Sequence, residues 1–324
     1  METLDANPAL PPHPPSPRKQ LKNTERFRAK HMRGRTRRVG YLRQHWRGDL
    51  PLAVAVIVSA ALVWGVVQLI GYASRQVPIT DYPVGSSLLW LLEVTILIAG
   101  ALWWGTGVQR SAIESVDRGG SMPVAVLTGI VGIGAFVWVG VFWFQSARYV
   151  MPEVWSTLIG SSPPATVHLE ARSGQVVVQG GLEFGSTRAV RAVLDDNPNV
   201  RIVRLDSRGG RVAEGLALGT LLRDRNLDTY VNDECSSACV TAFAGGARRI
   251  IGTGARLGLH SAGGAGFSAD AVASANRRSD DFIAARGVDQ RVLQQGASIA
   301  NDQIWFPSHQ VLLNSGLATE LIGR

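Results

Sequence analysis

Residues 201–215 read Arg-Ile-Val-Arg-Leu-Asp-Ser-Arg-Gly-Gly-Arg-Val-Ala-Glu-Gly, and residues 235–244 read Cys-Ser-Ser-Ala-Cys-Val-Thr-Ala-Phe-Ala. The first stretch begins as a buried strand (Arg201–Leu205), runs into the pair Gly209-Gly210, and continues as a helix over Arg211–Arg225 with Val212, Leu216, Leu218, Leu221 and Leu222 apolar. Glycines at such a turn let the backbone come close to a substrate carbonyl. The second stretch places Ser237 at the first turn of a helix of small and apolar residues, where several backbone N–H groups lack an intrahelical partner. Such a position builds up and holds negative charge. A histidine, His260, ends the strand-like run Arg256–His260. A serine hydroxyl is inert near neutral pH until a base takes its proton, and the imidazole pKa suits that exchange. The three features together point to acyl transfer through a covalent serine.

Around these stretches, strands alternate with helices. Val167–Ala171 and Gln175–Gln179 read as a short hairpin and Phe184–Leu194 as a helix. Thr229–Val231 and Arg249–Ile251 read as strands. Ala269–Ala285, Val288–Ala297 and Ser308–Asn314 read as helices. Alternation of this kind predicts an α/β layer structure.

The N-terminal half is of another kind. Leu50–Ala73, Leu88–Gly105 and Val124–Phe144 are each close to the ~20 apolar residues needed to cross a bilayer. Trp90, Trp104 and Trp143 lie near their ends, as in interfacial belts. The expected organisation is a disordered, basic cytoplasmic tail over 1–48, three transmembrane helices over 49–147, a linker over 148–165 with its hinge at Ser161-Ser162-Pro163-Pro164, and a catalytic domain over 166–324. The net charge of +8 belongs to the tail, which holds twelve Lys or Arg against three acids; residues 161–324 hold seventeen Arg against sixteen acids. A basic flank to a membrane span explains the tail better than nucleic-acid binding, for which no folded reader motif is present. The charge bias keeps the tail cytoplasmic, so three spans put residues 150–324 on the periplasmic or outer face of a bacterial inner membrane.

Four segments resemble Clp-type serine peptidases, in the same order and with nearly that family's spacing, over roughly residues 166–324. Asp206–Gly215 resembles the family's Ser-Pro-Gly-Gly segment and following helix. Cys235–Ala247 resembles its nucleophile helix, Arg256–His260 the strand ending in its histidine, and Asn314–Ala318 its closing helix and turn. The resemblance implies a fold of repeated strand-strand-helix (ββα) units, shared with the crotonase superfamily. Membrane attachment is more similar to membrane-bound Clp-class peptidases and signal peptide peptidase A. Residue by residue, it implies Ser237 as nucleophile, His260 as general base, and Gly209 and Ala238 as donors of the oxyanion-hole N–H groups. Asp302 falls near the family's orienting aspartate, with Asp281 and Asn301 as alternatives.

The chain departs from the family in two places. Arg208 replaces the usual proline before the glycine pair, and Cys235 and Cys239 flank the nucleophile. In an oxidising compartment these two cysteines can close a disulfide across the turn; two small buried thiols are the alternative. After Lys30 the chain has no lysine, so a serine-lysine dyad is excluded in this domain and the base must be histidine. Of His168, His260 and His309, the second is the best placed. No cofactor or metal is expected: two cysteines without clustered histidines or acids make no zinc site, and no phosphate-binding Gly-rich loop of the ATPase type occurs. The expected substrates are peptides or membrane-protein segments, the expected environment a lipid bilayer, and a homo-oligomer follows from the resemblance. Two other functions remain: an inactive scaffold of the same fold, and a crotonase-like enzyme acting on acyl thioesters.

Overall fold

The computed structural model describes residues 40–263 and 269–323. Three helices are long and apolar enough to cross a membrane: α2 (Val54–Arg75), α3 (Pro83–Asp117) and α4 (Met122–Ile159), with mean hydropathies of 2.3, 1.8 and 2.3. Two compact units make up the described chain: residues 40–59 with 103–132, and residues 60–102 with 133–323.

In the first unit, the expectation of disorder through residue 48 is corrected. Helix α1 (Tyr41–Arg47) is ordered because His45 has polar partners and no exposure. Its Nδ1 lies 3.0 Å from the Ser59 hydroxyl, which in turn lies 2.8 Å from the Tyr41 hydroxyl, and its Nε2 lies 3.3 Å from the Trp104 carbonyl. Gly107 makes room for the ring, since a Cβ there would sit 2.1 Å from Nε2. Residues 1–39, where most of the expected tail falls, lie outside the described residues.

In the second unit, the expected linker over 148–165 is largely helical. Helix α4 continues to Ile159 and stops at Gly160, which is left-handed with φ 67°. Pro152 lies inside this last stretch and removes one backbone donor; immediately before it the helix widens into a π turn at Trp143–Ala147.

Six strands form one sheet, in the order β1 (Thr166–Glu170), β2 (Gln175–Gln179), β3 (Ile202–Asp206), β4 (Asp228–Val231), β6 (Arg249–Gly252), β8 (Glu320–Ile322). Only the β1–β2 hairpin is antiparallel. A second, two-stranded parallel sheet pairs β5 (Glu234–Ser236) with β7 (Arg256–Gly258). Helices α5 (Ser186–Asp196), α6 (Val212–Asp224), α7 (Ala238–Ala244), α8 (Ala269–Ala284), α9 (Gln290–Ala297) and α10 (His309–Asn314) complete the unit. Two strands followed by a helix recur as β1-β2-α5, β4-β5-α7 and β6-β7-α8. The core is continuous: Val176, Val178, Val203 and Leu205 of the sheet are fully buried with Leu218, Leu222 and Phe243 of the helices.

Glycine sets the crossing of α6 and α7. A Cβ at Gly215 would lie 2.3 Å from the Ala238 carbonyl oxygen, and one at Gly219 would lie 2.7 Å from that of Thr241. Only bare backbone lets α7 pack this deeply, with every residue of Ala238–Ala244 buried. On α6, Glu214 is fully buried and accepts the Gly185 and Thr187 backbone N–H groups, both at 2.8 Å, and the Thr187 hydroxyl at 2.5 Å. Its carboxylate thus serves the open N-terminus of α5, where donors lack partners. Glu214→Ala leaves those donors buried and unpaired and is expected to cost about 2–4 kcal/mol. Denaturant unfolding of the full-length protein in detergent checks this; a loss under about 0.5 kcal/mol contradicts the assignment.

Candidate active site

Three strand ends meet where the notable sequence segments lie. The β5–β7 register pairs Ser236 with Gly258, and the ladder gains one more rung, from the Ser237 N–H to the Gly258 carbonyl at 2.8 Å. Ser237 is therefore one residue beyond the end of β5, and His260 two beyond the end of β7. A bridge between Ser207 and Cys235 brings the end of β3, and with it Gly209-Gly210, beside β5. Ser237 and His260 line one cleft of about 50 Å³, together with Val212, Asn276 and Asp280 among others.

The two adjacent serines are clearly distinguished. Ser236 is buried and donates to Glu234 Oε1 at 2.9 Å. Ser237 is partly exposed, and its side chain makes no hydrogen bond among the described residues, not even as a cap of α7. Its backbone is at φ 56°, ψ −130°, a region non-glycine residues rarely adopt. Such a conformation costs about 1–3 kcal/mol and persists only where the surroundings impose it. Here they do. The Ser237 N–H bonds to β7, the following helix is packed on Gly215, and a disulfide joins Cys235 to Cys239 with Cα atoms 5.3 Å apart.

Gly209 is pressed against the serine. A Cβ there would stand 2.6 Å from Ser237 Cβ, 2.7 Å from the Ser236 carbonyl oxygen and 3.1 Å from the Ala238 nitrogen, and its φ is +98°. Its own N–H donates to the Ser207 hydroxyl at 3.1 Å. The N–H groups of Ala238 and Gly210 make no hydrogen bond among the described residues. The turn therefore carries unengaged donors, and the Gly209 amide joins them only when Ser207 releases it.

His260 is half-buried, and burial lowers its pKa, with the Asn301 backbone pulling the other way; the ring is held neutral and able to accept a proton. Its Nδ1 is buried without a hydrogen-bond partner. Asp302 is exposed and makes no hydrogen bond or ion pair among the described residues, so the structure does not bring it to the ring. Of the alternatives, Asn301 donates to the Ser261 carbonyl at 3.2 Å and Asp281 is exposed. His168 is exposed on β1, and His309 contacts the Ala255 carbonyl at 2.8 Å. Neither lines the cleft. Arg208, which stands where the resemblance has a proline, is 86% exposed and lies 3.9 Å from Glu234 Oε1, lining a separate cleft with Asp206 and Asp233.

Asp280, which the sequence does not single out, also lines the cleft. It lies on α8 one turn after Asn276, whose Oδ1 accepts the Ala262 N–H at 2.7 Å and so ties the chain after His260 to that helix. Its pKa is raised from 3.8 to about 6, first by burial and then by the neighbouring Asp281. The signal was present as spacing: Asn276 and Asp280 share a helical face, whereas Asp281 is rotated by about 100° away from it.

A second groove, of about 300 Å³, shares Val212 and Ala262 with the Ser237 cleft and extends it past Gly210 and Arg211 to Glu153 and Arg278. Arg211 pairs there with Glu153 at 3.0 Å and with Glu183 at 2.9 Å. The residue after the glycine pair is thus held by the C-terminal part of α4. Among the described residues no group of three or more His, Cys, Asp or Glu is arranged to hold a metal.

No protein-family model and no curated protein matches this chain. Among solved structures, it is similar to ClpP1 from Listeria monocytogenes, with a TM-score of 0.40 and 16% identity over 46% of this chain and 91% of that one. It is similar also to a point mutant of ClpP1 from that organism, with a TM-score of 0.39, the same identity and the same coverage.

Gly209→Ala forces a Cβ against Ser237 at a positive φ, and is expected to destabilise the fold by about 2–4 kcal/mol. Thermal unfolding checks this, and an unchanged melting temperature refutes the close approach. Asp280 gives a pH-dependent outcome. Because its folded pKa lies above its unfolded one, ionisation disfavours the folded state. The penalty is absent near pH 4, develops up to about pH 6 and is constant above. Asp280→Asn is therefore expected to stabilise the protein at neutral pH, by about 1 kcal/mol once partial solvent exposure is allowed for, and to have little effect near pH 4. Melting curves at both pH values test it; equal effects at both contradict the burial.

Proposed function

We propose that this chain is a membrane-anchored serine hydrolase that cleaves peptide bonds through an acyl-enzyme on Ser237, without a cofactor and without an ATPase of its own. The observation that carries the reading is the nucleophile turn: a partly exposed serine held at positive φ at the start of a buried helix, with Gly209 against it and His260 in the same cleft. In the reaction, His260 takes the Ser237 hydroxyl proton as Oγ bonds to the substrate carbonyl carbon. Free N–H groups of the turn, Ala238 among them, receive the oxyanion, and each such donor is typically worth about 2.7–4 kcal/mol in the barrier. The imidazolium then protonates the leaving amine as the C–N bond breaks. Water, deprotonated by the same ring, releases the acid and restores the serine.

Ser237 is not hydrogen-bonded to His260 here, so substrate must close the pair; catalytic hydrogen bonds often tighten only in the complex. With no acid on His260 Nδ1, the reading is of a Ser-His dyad. The charge asymmetry of the chain supports placing the domain on the extracytoplasmic face of a bacterial inner membrane, where peptides or membrane-protein segments are its substrates. Assembly into a homo-oligomer is part of the same proposal.

A second reading, an inactive scaffold, is favoured by two specific observations: the unpartnered Nδ1 of His260 and the Gly209 amide engaged by Ser207. Labelling of the full-length protein with a fluorophosphonate separates the two. Covalent labelling is expected in the wild type and at least 100-fold slower in both Ser237→Ala and His260→Ala. The labelling rate is expected to rise with pH about a midpoint below that of an ordinary imidazole, because burial disfavours the protonated ring. No labelling of the folded wild type would establish the scaffold.

A further inference from the structure

The polar groups in the Ser237 cleft are unequally satisfied. Asn276 accepts from Ala262 N–H at 2.7 Å, and the Ser279 hydroxyl lies 2.6 Å from that of Thr241. Asp280 has no hydrogen bond or ion pair among the described residues, although it lines the cleft with Ser237 and His260. A half-buried carboxylate that stands in the cleft beside Ser237 without a protein partner is available to a group of opposite charge on a bound molecule. Structural roles do not supply that ligand. Asp280 does not cap a helix, pairs with no arginine, and does not occupy the empty Nδ1 of His260.

The cleft adjoins the nucleophile, so the side chain that enters it belongs to the residue whose carbonyl Ser237 attacks. Its walls include Val240, Ile283 and Leu293, suited to a chain of methylenes, and Asp280 stands among them as a negative charge. The lining carries one carboxylate and no second acid, which matches a single compact ammonium better than the five-donor guanidinium fork. We propose that Asp280 selects substrates with lysine on the acyl side of the cleaved bond, receiving the ammonium group at the end of the cleft. This rests on the assignment of Ser237 as nucleophile. Asp280 is thereby a specificity residue.

Two measurements test it. Binding of a short peptide ending in lysine is compared with one ending in norleucine, which has the same stem without the charge, on full-length Ser237→Ala protein. Hydrolysis of matched substrates with lysine or norleucine at that position is then followed in the wild type. Lysine is expected to be preferred at least tenfold in both, and the preference to vanish or reverse in Asp280→Asn. A role of Asp280 in positioning His260 would instead lower kcat for both substrates equally and leave their ratio intact, which overturns the proposal. Equal binding of the two peptides, or a lysine preference that survives Asp280→Asn, overturns it as well. Asp280-dependent lysine binding in a protein that fluorophosphonate does not label would leave the pocket assignment standing and defeat only the hydrolase reading. Labelling at Ser237 without lysine preference does the reverse.

Discussion

The site depends on a single rung of backbone hydrogen bonding, from the Ser237 N–H to the Gly258 carbonyl. It carries the pairing of β5 with β7 one residue past the strands, and so fixes where Ser237 stands relative to the segment that leads to His260. Everything nearby reinforces that rung. The Ser207–Cys235 bridge holds β5 from its other side, and the absence of side chains at Gly215 and Gly219 lets α7 sink onto α6. The cost of placing a serine at positive φ is offset by these packed neighbours, which is how a strained residue survives at a working site.

Much of this was legible in the chain. Periodicity located most strands and helices of the α/β region, because β3 and β4 alternate buried with half-exposed positions and α5 and α9 bury one apolar face. Gly209 and His260 follow strands that the sequence shows, β3 and β7, whereas Ser237 follows β5, whose three residues are too few to display a period; the Ser207–Cys235 bridge and the β5–β7 register set these segments side by side. Asp302 is the counter-example. It lies in a loop, where no repeat fixes direction, and the structure leaves it exposed. Asp280 lay one residue from a considered candidate; a helix turns enough in one residue to exchange cleft for solvent. The short strands β5 and β8 and the helix α1 escaped because their order comes from tertiary partners, His45 with Ser59 being the clearest.

Within the second unit, helix α4 continues through its π turn to Ile159, and Glu153 in its last stretch pairs with Arg211, the residue after Gly209-Gly210. Asp81, between α2 and α3, pairs with Arg191 on α5. The groove leading to Ser237 thus has α4 as part of its own wall.

The Cys235–Cys239 bond invites a last consideration, in terms of chain entropy. A cross-link stabilises a fold chiefly by restricting the unfolded chain, and the effect grows with the logarithm of the loop enclosed. This one spans only four positions in sequence, so its entropic contribution is about 2 kcal/mol, near the low end of the range. Its influence is concentrated on the ring of residues that contains Ser237. The bond acts less as a staple of the whole domain than as a local brace, preserving the shape of one turn while the rest of the polypeptide stands on its own core.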